Sequence, residues 1–406
     1  MADIKLNLCR TFHPIGQGLF CSERLNIEGQ PNPINVVYDC GCFEPSSEVR
    51  KQYDLQKTLS DQIAEAFPNN APIYCVFISH LHYDHISGLR ELLNHSVKYL
   101  FLPQLSPALM LESVLYSRCY ASEDGFNETL SLIRSLSENS EQIGETRIIQ
   151  ILPNRNIDSE AEATAVDLLS VAAHANSALR HEICNYRIRI GKHWEYVPFN
   201  YYTSSLQHEQ LVERLQSVKE LSHCFANGKI DFNALAMAFK NPDIVKMCKE
   251  IYKSIFSSEN EYSMPVYSGP VGLEKIKCCC SDNRYRRCCD DCYRRHCHCY
   301  GACLYTGDFP ASDSTLYGMM KNFYTRLGAW KRISLVQVPH HGSYYSHNTD
   351  LYMLERSAVM SVGIRNQYHH PDYEVIRDLK EKLNFCPYIM TEADKQYEEG
   401  IQYTEY

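Results

Sequence analysis

No uninterrupted apolar run in this 406-residue chain is long enough to span a bilayer, and the N-terminal MADIKLNLCRTFHP lacks the apolar core of a signal peptide. Transport across a membrane by this chain alone is set aside, and cytoplasmic residence is the expectation. Internal repeats are also lacking, which sets repeat architectures aside. So is an excess of positive charge: the formal net charge of −9 argues against indiscriminate binding to nucleic-acid backbone, which rests on Lys and Arg neutralising phosphates. A local basic groove remains compatible with that balance. With 44% hydrophobic and 22% charged residues, neither wholesale disorder nor a fibre is indicated. The 19 cysteines stand beside 17 histidines and no export signal, so reduced thiols, some of them on metal, are expected in place of disulfides.

Apolar runs punctuated by turn residues mark strands at both ends of the chain. Leu6 to Phe20, broken by Gly16-Gln17-Gly18, and Ile34 to Asp39 predict paired strands of one sheet. Ile73 to Ser79 predicts a buried strand, and ISGLRELLNH after it has helical spacing. Pro107 to Leu136 reads as helical, Arg147 to Leu152 and Tyr186 to Ile190 as strands. From Leu206 to Phe256 the pattern turns to amphipathic helix, a helical insertion. Strand character returns at CLYTGDF, Ile333 to Val338 and Ala358 to Val362, with a helix between Asp372 and Leu383. The division that follows is a first part over 1–195, an inserted helical and Cys-rich part over 196–299, and a last part over 300–406.

The segment His80-Leu81-His82-Tyr83-Asp84-His85 carries the chemistry. It follows a strand directly, where a loop at a sheet edge can aim several ligands inward, and imidazole with carboxylate suits zinc and its neighbours. In extended backbone His80 and His82 project the same way and can share one metal, while a turn brings Asp84 and His85 to a second. At another strand end, Thr306-Gly307-Asp308 offers a carboxylate able to bridge two ions. Pro339-His340-His341-Gly342-Ser343 offers a further imidazole for the second metal; His340 is taken first, with His341 open, since spacing alone cannot choose between them. Gly342 and Ser343 supply backbone N–H and hydroxyl donors for an oxyanion.

These residues, in this order, resemble the metallo-β-lactamase superfamily: a strand-end Asp39, the HxHxDH of His80 to His85, a later His, Gly307-Asp308 and a final His. More narrowly the chain is similar to the hydrolase domain of the bacterial competence protein ComEC, through Gly16-Gln17-Gly18, Thr306-Gly307-Asp308, PHHGS at Pro339 to Ser343, and SVGIRNQYHHP at Ser361 to Pro371. His369 stands where that pattern usually has Gly. The resemblance covers the outer segments, 1–195 and 300–406. It implies an αββα sandwich with two divalent metal ions, zinc or manganese, at one edge. It also implies that Asp39 buttresses the metal loop, and that a third imidazole of the first metal comes from His181, with His174 as the alternative.

A hydroxide held between two such ions is a nucleophile at neutral pH. The expected function is hydrolysis of a phosphodiester, in nucleic acid or a nucleotide-derived small molecule, with Asp84 in the catalytic centre, Ser343 or the Gly342 N–H stabilising charge, and His370 either protonating the leaving oxygen or serving structure. A carbonyl hydrolase acting on a lactam, lactone or thioester is the enzymatic alternative, and a metal-binding regulatory protein without turnover the non-enzymatic one. Cys278, Cys279, Cys280, Cys288, Cys289, Cys292, Cys297, Cys299 and Cys303, with His296 and His298, offer soft ligands for an additional structural zinc, and Cys289-x-x-Cys292 has the spacing for it. Arg284, Arg286, Arg287, Arg294 and Arg295, interleaved with Tyr285 and Tyr293, have the composition of a phosphate-contacting loop, or of a solvated charged one.

Overall fold

Short apolar segments rich in β-branched and aromatic residues dominate both ends of the chain, and they become the strands of two sheets. The computed structural model describes residues 4–154, 164–171, 182–201, 206–226, 228–256, 262–271, 276–280, 301–352, 356–382 and 387–405. The first sheet runs Ile276–Cys280, Tyr397–Glu405, Ile4–Phe12, Gly18–Ile27, Ile34–Cys42, Ile73–Phe77, Val97–Pro103, Thr146–Ile151 and Gln142–Ile143, with Glu182–Ile183 pairing to Thr146–Ile151 off that path. The second runs Tyr388–Met390, Ser357–Ser361, Ile333–Gln337, Ala302–Tyr305, Val266–Pro270, Trp194–Pro198, Tyr186–Ile190 and Thr164–Asp167.

Each sheet contains a parallel block. In the first it is Ile34–Cys42, Ile73–Phe77, Val97–Pro103 and Thr146–Ile151; in the second, Ala302–Tyr305, Ile333–Gln337, Ser357–Ser361 and Tyr388–Met390. Ligand sites in such sheets form beyond the carboxyl ends of the strands. His80, His82, Asp84 and His85 follow the end of Ile73–Phe77, Asp308 that of Ala302–Tyr305, and His340 and His341 that of Ile333–Gln337.

Side chains of both sheets meet in one apolar core that includes Phe77, Phe101, Trp194, Tyr196, Val266, Tyr305, Leu335 and Val359. Arg10 is buried within it, held by Glu23 at 2.7 Å and by Tyr305 Oη at 3.1 Å. Glu23 in turn accepts from Tyr196 Oη and Ser268 Oγ of the second sheet. A buried ion pair is tolerable when its remaining lone pairs are satisfied in this way. Helices cover both outer faces: Leu59–Ala66 and Pro107–Tyr120 help to close the first, Ser314–Arg326 and Tyr373–Lys382 the second. The architecture is the mixed αββα sandwich expected from the sequence.

The amphipathic stretch after Leu206 forms the helices Leu206–Ser217, Phe232–Ala238 and Pro242–Ile255. The last is started by Asn241, whose side chain accepts from Asp243 N, with Pro242 at the first helical position. Helix Pro107–Tyr120 begins the same way at Ser106-Pro107. Leu211, Leu215, Cys248, Tyr252 and Ile255 share a core with Leu111, Val114 and Leu115 of that helix, so the helical unit continues the outer layer of the first sheet. Within the 196–299 stretch, Val266–Pro270 and Ile276–Cys280 return to the sandwich as strands of the two sheets. Among the described residues no helix is long and apolar enough to cross a membrane.

Candidate metal centre

Strand Ile73–Phe77 delivers Ser79 and His80 to the edge of the sandwich, and the helical turn Tyr83–Ile86 follows at once. This turn lies directly on the neighbouring strand Ile34–Cys42: a Cβ at Gly41 would stand 2.6 Å from the His85 carbonyl carbon and 2.7 Å from its amide nitrogen. Only glycine permits that approach. Beside it, Asp39 is fully buried in a left-handed conformation, φ 51°, a cost of order 1–3 kcal/mol that persists where the surroundings over-determine it. Its carboxylate accepts from Ser79 N at 2.6 Å and Ser79 Oγ at 2.7 Å, and holds His85 Nδ1 at 2.8 Å. The contact with Nδ1 turns His85 Nε2 toward Asp308.

Asp308 lies past the end of Ala302–Tyr305, reached through Gly307 at φ 55°. Its Oδ1 is 3.1 Å from His85 Nε2, and its Oδ2 is 3.7 Å from His80 Nε2 and 3.6 Å from His340 Nε2. The two carboxylate oxygens thus address different imidazoles. His341 is buried, its Nδ1 2.8 Å from the Ser361 carbonyl, and its Nε2 reaches to 3.5 Å from Asp84 Oδ2. Two triads result, His80 with His85 and Asp308, and Asp84 with His85 and His341, each with ligand atoms within 4.8 Å of one another.

It is therefore His341, and not His340, that the structure brings to the second triad. Both residues have positive φ, 49° and 54°, which swings the adjacent rings apart; His340 remains at the mouth, its side chain 17% exposed.

The electrostatics suit cations. Burial would push the Asp84 and Asp308 carboxyls up, but the neighbouring imidazoles outweigh it, and both are held below their ordinary range. Burial, together with His85 and His82, depresses His80 well below its usual value and leaves it neutral, with a lone pair to offer. For His85 burial again opposes charge, yet Asp308 and Asp39 raise it well above 6.5. His80 Nε2, His82 Nδ1 and Asp84 Oδ1 are buried without a hydrogen-bond partner. Buried polar atoms left in that condition are costly, and divalent ions bound by them would satisfy all three. The donor set fits two such ions.

His82 is held differently. Its Nε2 lies 3.0 and 3.1 Å from the two carboxylate oxygens of Glu112 on helix Pro107–Tyr120, and its ring stacks on Tyr116 at 3.8 Å between centroids. The Glu112 Oε1 also accepts from Tyr252 Oη at 2.8 Å. A narrow cavity runs from His80 and His82 past Leu109 and Glu112 to His208 and Phe256 of the helical unit. Neither Glu112 nor Tyr252 stood out in the sequence, although a lone carboxylate in the apolar LMLESVLY helix is a signal for a buried partner.

Residues 34–118 match the Metallo-beta-lactamase superfamily. The matched segment carries Asp39, the whole His80–His85 motif and Glu112. That superfamily is one of hydrolytic metalloenzymes, and the match supports a metal-dependent hydrolase. No curated protein matches the chain. Among solved structures, the crystal structure of unliganded yeast PDE1 aligns over 99% of this chain and 100% of that chain, at 12% identity and a TM-score of 0.38.

The remaining sequence candidates lie after the matched residues or outside the described residues. Ser343 is buried, and its backbone N–H donates to the His340 carbonyl at 2.8 Å, which fixes the turn that carries Gly342 and the Ser343 hydroxyl. His370 lies beside His340, ring centroids 5.5 Å apart. Asn366 fixes its backbone by accepting from His370 N at 2.9 Å and donating to its carbonyl at 2.7 Å. Burial, with His340 and His341, lowers His370 to about 4. At neutral pH it is uncharged and can donate a hydrogen bond, but it is not a protonated acid. His369 takes φ 61°, the left-handed region where glycine costs least, which explains the glycine usual there. Cys303 is not available to a zinc cluster: it is buried in the inter-sheet core, with its thiol raised by burial. His181, His174 and the cysteines, histidines and arginines between 281 and 300 fall outside the described residues.

Proposed function

We propose that this protein hydrolyses phosphodiester bonds at a two-metal centre formed by His80, His82 and Asp308 on one side and Asp84, His85, Asp308 and His341 on the other. The observation that carries the reading is Asp308, whose two oxygens face His80 and His85 separately, as a carboxylate bridging two cations requires. Bound there, a divalent ion pair supplies a nucleophile from water at neutral pH and polarises the bond to be cleaved.

The chain's own groups do the rest. Asp39 and Ser79 fix the ring of His85 from behind, and the Ser361 carbonyl fixes that of His341. His340 and His370 stand together at the mouth, where neutral imidazole N–H groups can donate to the oxygens of an anionic substrate. This pair of donors favours a phosphodiester over a neutral lactam, lactone or thioester, and the likeness to the ComEC hydrolase domain supports the same choice. In the proposed role His370 orients substrate and stabilises developing charge.

The test is turnover of the zinc- or manganese-loaded protein on bis-p-nitrophenyl phosphate, single- and double-stranded DNA, RNA and cyclic nucleotides, set against a thioester and lactam panel. Hydrolysis confined to the carbonyl panel would replace the phosphodiester reading. Absence of any turnover in a protein holding two metals would favour a regulatory role.

A further inference from the structure

We propose that Glu112 and Tyr252 are positioning residues through which the inserted helices govern metal binding on the His82 side of the centre; the inference rests on the two-metal reading above. A carboxylate 3.0 and 3.1 Å from His82 Nε2 accepts a hydrogen bond from that N–H, which leaves the lone pair on Nδ1. That Nδ1 is buried and has no hydrogen-bond partner, and the ring it belongs to lies 4.6 Å from the ring of His80. Glu112 therefore selects both the tautomer and the direction in which His82 presents its free nitrogen. Tyr116, stacked face to face at an interplanar angle of 2°, prevents the ring from swivelling away.

Glu112 is itself buried and needs donors other than His82 to stay ionised and fixed. Tyr252, on helix Pro242–Ile255 of the inserted unit, supplies one at 2.8 Å, and it comes from 140 residues further along the chain. The His85 side has no such dependence, because Asp39 and Ser79 belong to the sandwich. Every proposed ligand lies outside the helical unit, which on sequence alone predicts that the unit influences substrate choice more than metal content. The Tyr252–Glu112–His82 chain of contacts gives the opposite expectation for one of the two metals.

The measurement is competitive zinc titration of the full-length protein, wild type against Glu112→Gln and Tyr252→Phe, with metal-free melting temperatures recorded in parallel. Wild type should take two equivalents at the centre, apart from any zinc held by the Cys-rich stretch. Glu112→Gln should weaken one of them about 10- to 100-fold, the usual effect of losing a partner behind a metal-bound histidine. Tyr252→Phe should weaken the same equivalent about fivefold, the worth of one hydrogen bond. In both variants the other equivalent should keep its affinity, and cobalt absorption should change for the weakened one alone, which a general loss of stability would not produce. Two unchanged equivalents in both variants would overturn the inference while leaving the metal centre standing. Weakening in Glu112→Gln with wild-type behaviour in Tyr252→Phe would remove the link to the helices. A wild-type protein that holds no zinc would overturn the centre itself, and this inference with it. Should Glu112→Gln fail to fold, Tyr252→Phe decides, since it keeps the buried ring and removes only a hydroxyl.

Discussion

His82 and His85 leave the same hexapeptide three residues apart, yet they lean on different parts of the molecule. His85 rests on Asp39 and Ser79, at the ends of two neighbouring parallel strands of the first sheet. His82 rests on Glu112 and Tyr252, which come from two helices, one of them inserted. The His85 side takes its precision from a hydrogen-bonded sheet whose strand ends are fixed by the core. The His82 side takes it from packing between two helices, one in the outer layer of the sandwich and one in the inserted unit. A loop of one sequence pattern thus acquires one half supported by the sheet and one half supported by helices, and loops between strands are where such folds vary their specificity.

The largest effects should come from residues common to the centre or at its second triad, where that asymmetry disappears. Asp308→Asn replaces the carboxylate facing both His80 and His85 by a neutral amide, a poor bridge between cations. Bound metal should fall to one equivalent or less, and turnover by about a thousandfold or more, of the order ascribed to losing a main electrostatic contributor. Asp84→Ala and His85→Ala should likewise abolish hydrolysis with little change in secondary structure by circular dichroism. Two firmly held metals in Asp308→Asn would remove Asp308 as the bridge.

Next in size is a variant meant to strike one side only. Asp39→Ala leaves Ser79 N–H, Ser79 Oγ and His85 Nδ1 without their buried acceptor. Removing one member of a buried ionic pair costs about 3 kcal/mol or more, so a clear drop in thermal stability is expected. The metal lost should be the one held by His85, with the His82-side equivalent retained. Equal loss of both metals would show that the two halves are not separately supported.

The sequence disclosed the sandwich and which histidines and carboxylates gather at its edge for a specific physical reason. Strand-forming runs such as Ile73–Phe77 and Ile333–Gln337 are local, and the ligands follow them within a few residues, so pattern and position travel together. Terminal strand Tyr397–Glu405 is polar along much of its length and pairs with Ile4–Phe12 and Ile276–Cys280, segments far away in the chain; no local signal marks it. The helix expected over ISGLRELLNH breaks into Tyr83–Ile86 and Leu89–Leu92 because Gly88 N donates to the Cys40 carbonyl at 2.8 Å, a tertiary contact. The choice between His340 and His341 was illegible for a similar reason: it depends on left-handed backbone at both residues and on the Ser361 carbonyl of another strand. Glu112 and Tyr252 were missed because their pairing spans 140 positions.

A smaller effect should separate the two halves by pH. His80 is depressed by burial and by neighbouring His85 and His82, so it binds a cation without first losing a proton. Opposed by burial but dominated by Asp308 and Asp39, His85 is raised well above 6.5 and carries a proton at neutral pH that must leave before Nε2 can ligate. Affinity of the His85-side metal should therefore rise with pH, by up to about tenfold per unit from near pH 6.5 until the raised pKa is passed. The other equivalent should vary less over the same interval. Calorimetric titration in buffers of different ionisation enthalpy would count the protons released. Equal release at both steps would contradict the assigned protonation states.

The smallest effect is expected outside both halves, at His370. Its ring lies 5.5 Å from that of His340, and burial with the neighbouring imidazoles lowers it to about 4. Cations bound nearby would lower it further, so between pH 5 and 8 it has no proton of its own to surrender. General acid catalysis typically contributes 10²- to 10⁴-fold, and a residue in that role would also impose an alkaline limb on the rate profile. His370→Gln keeps a hydrogen-bond donor while removing the titrating ring. Turnover of bis-p-nitrophenyl phosphate should therefore fall by about tenfold or less, with both metals retained and the pH profile keeping its shape across that range. A loss beyond a hundredfold, or the disappearance of an alkaline limb present in the wild type, would restore His370 as the proton donor. The mouth of the centre would then contribute to catalysis on the scale of the two metal-holding halves.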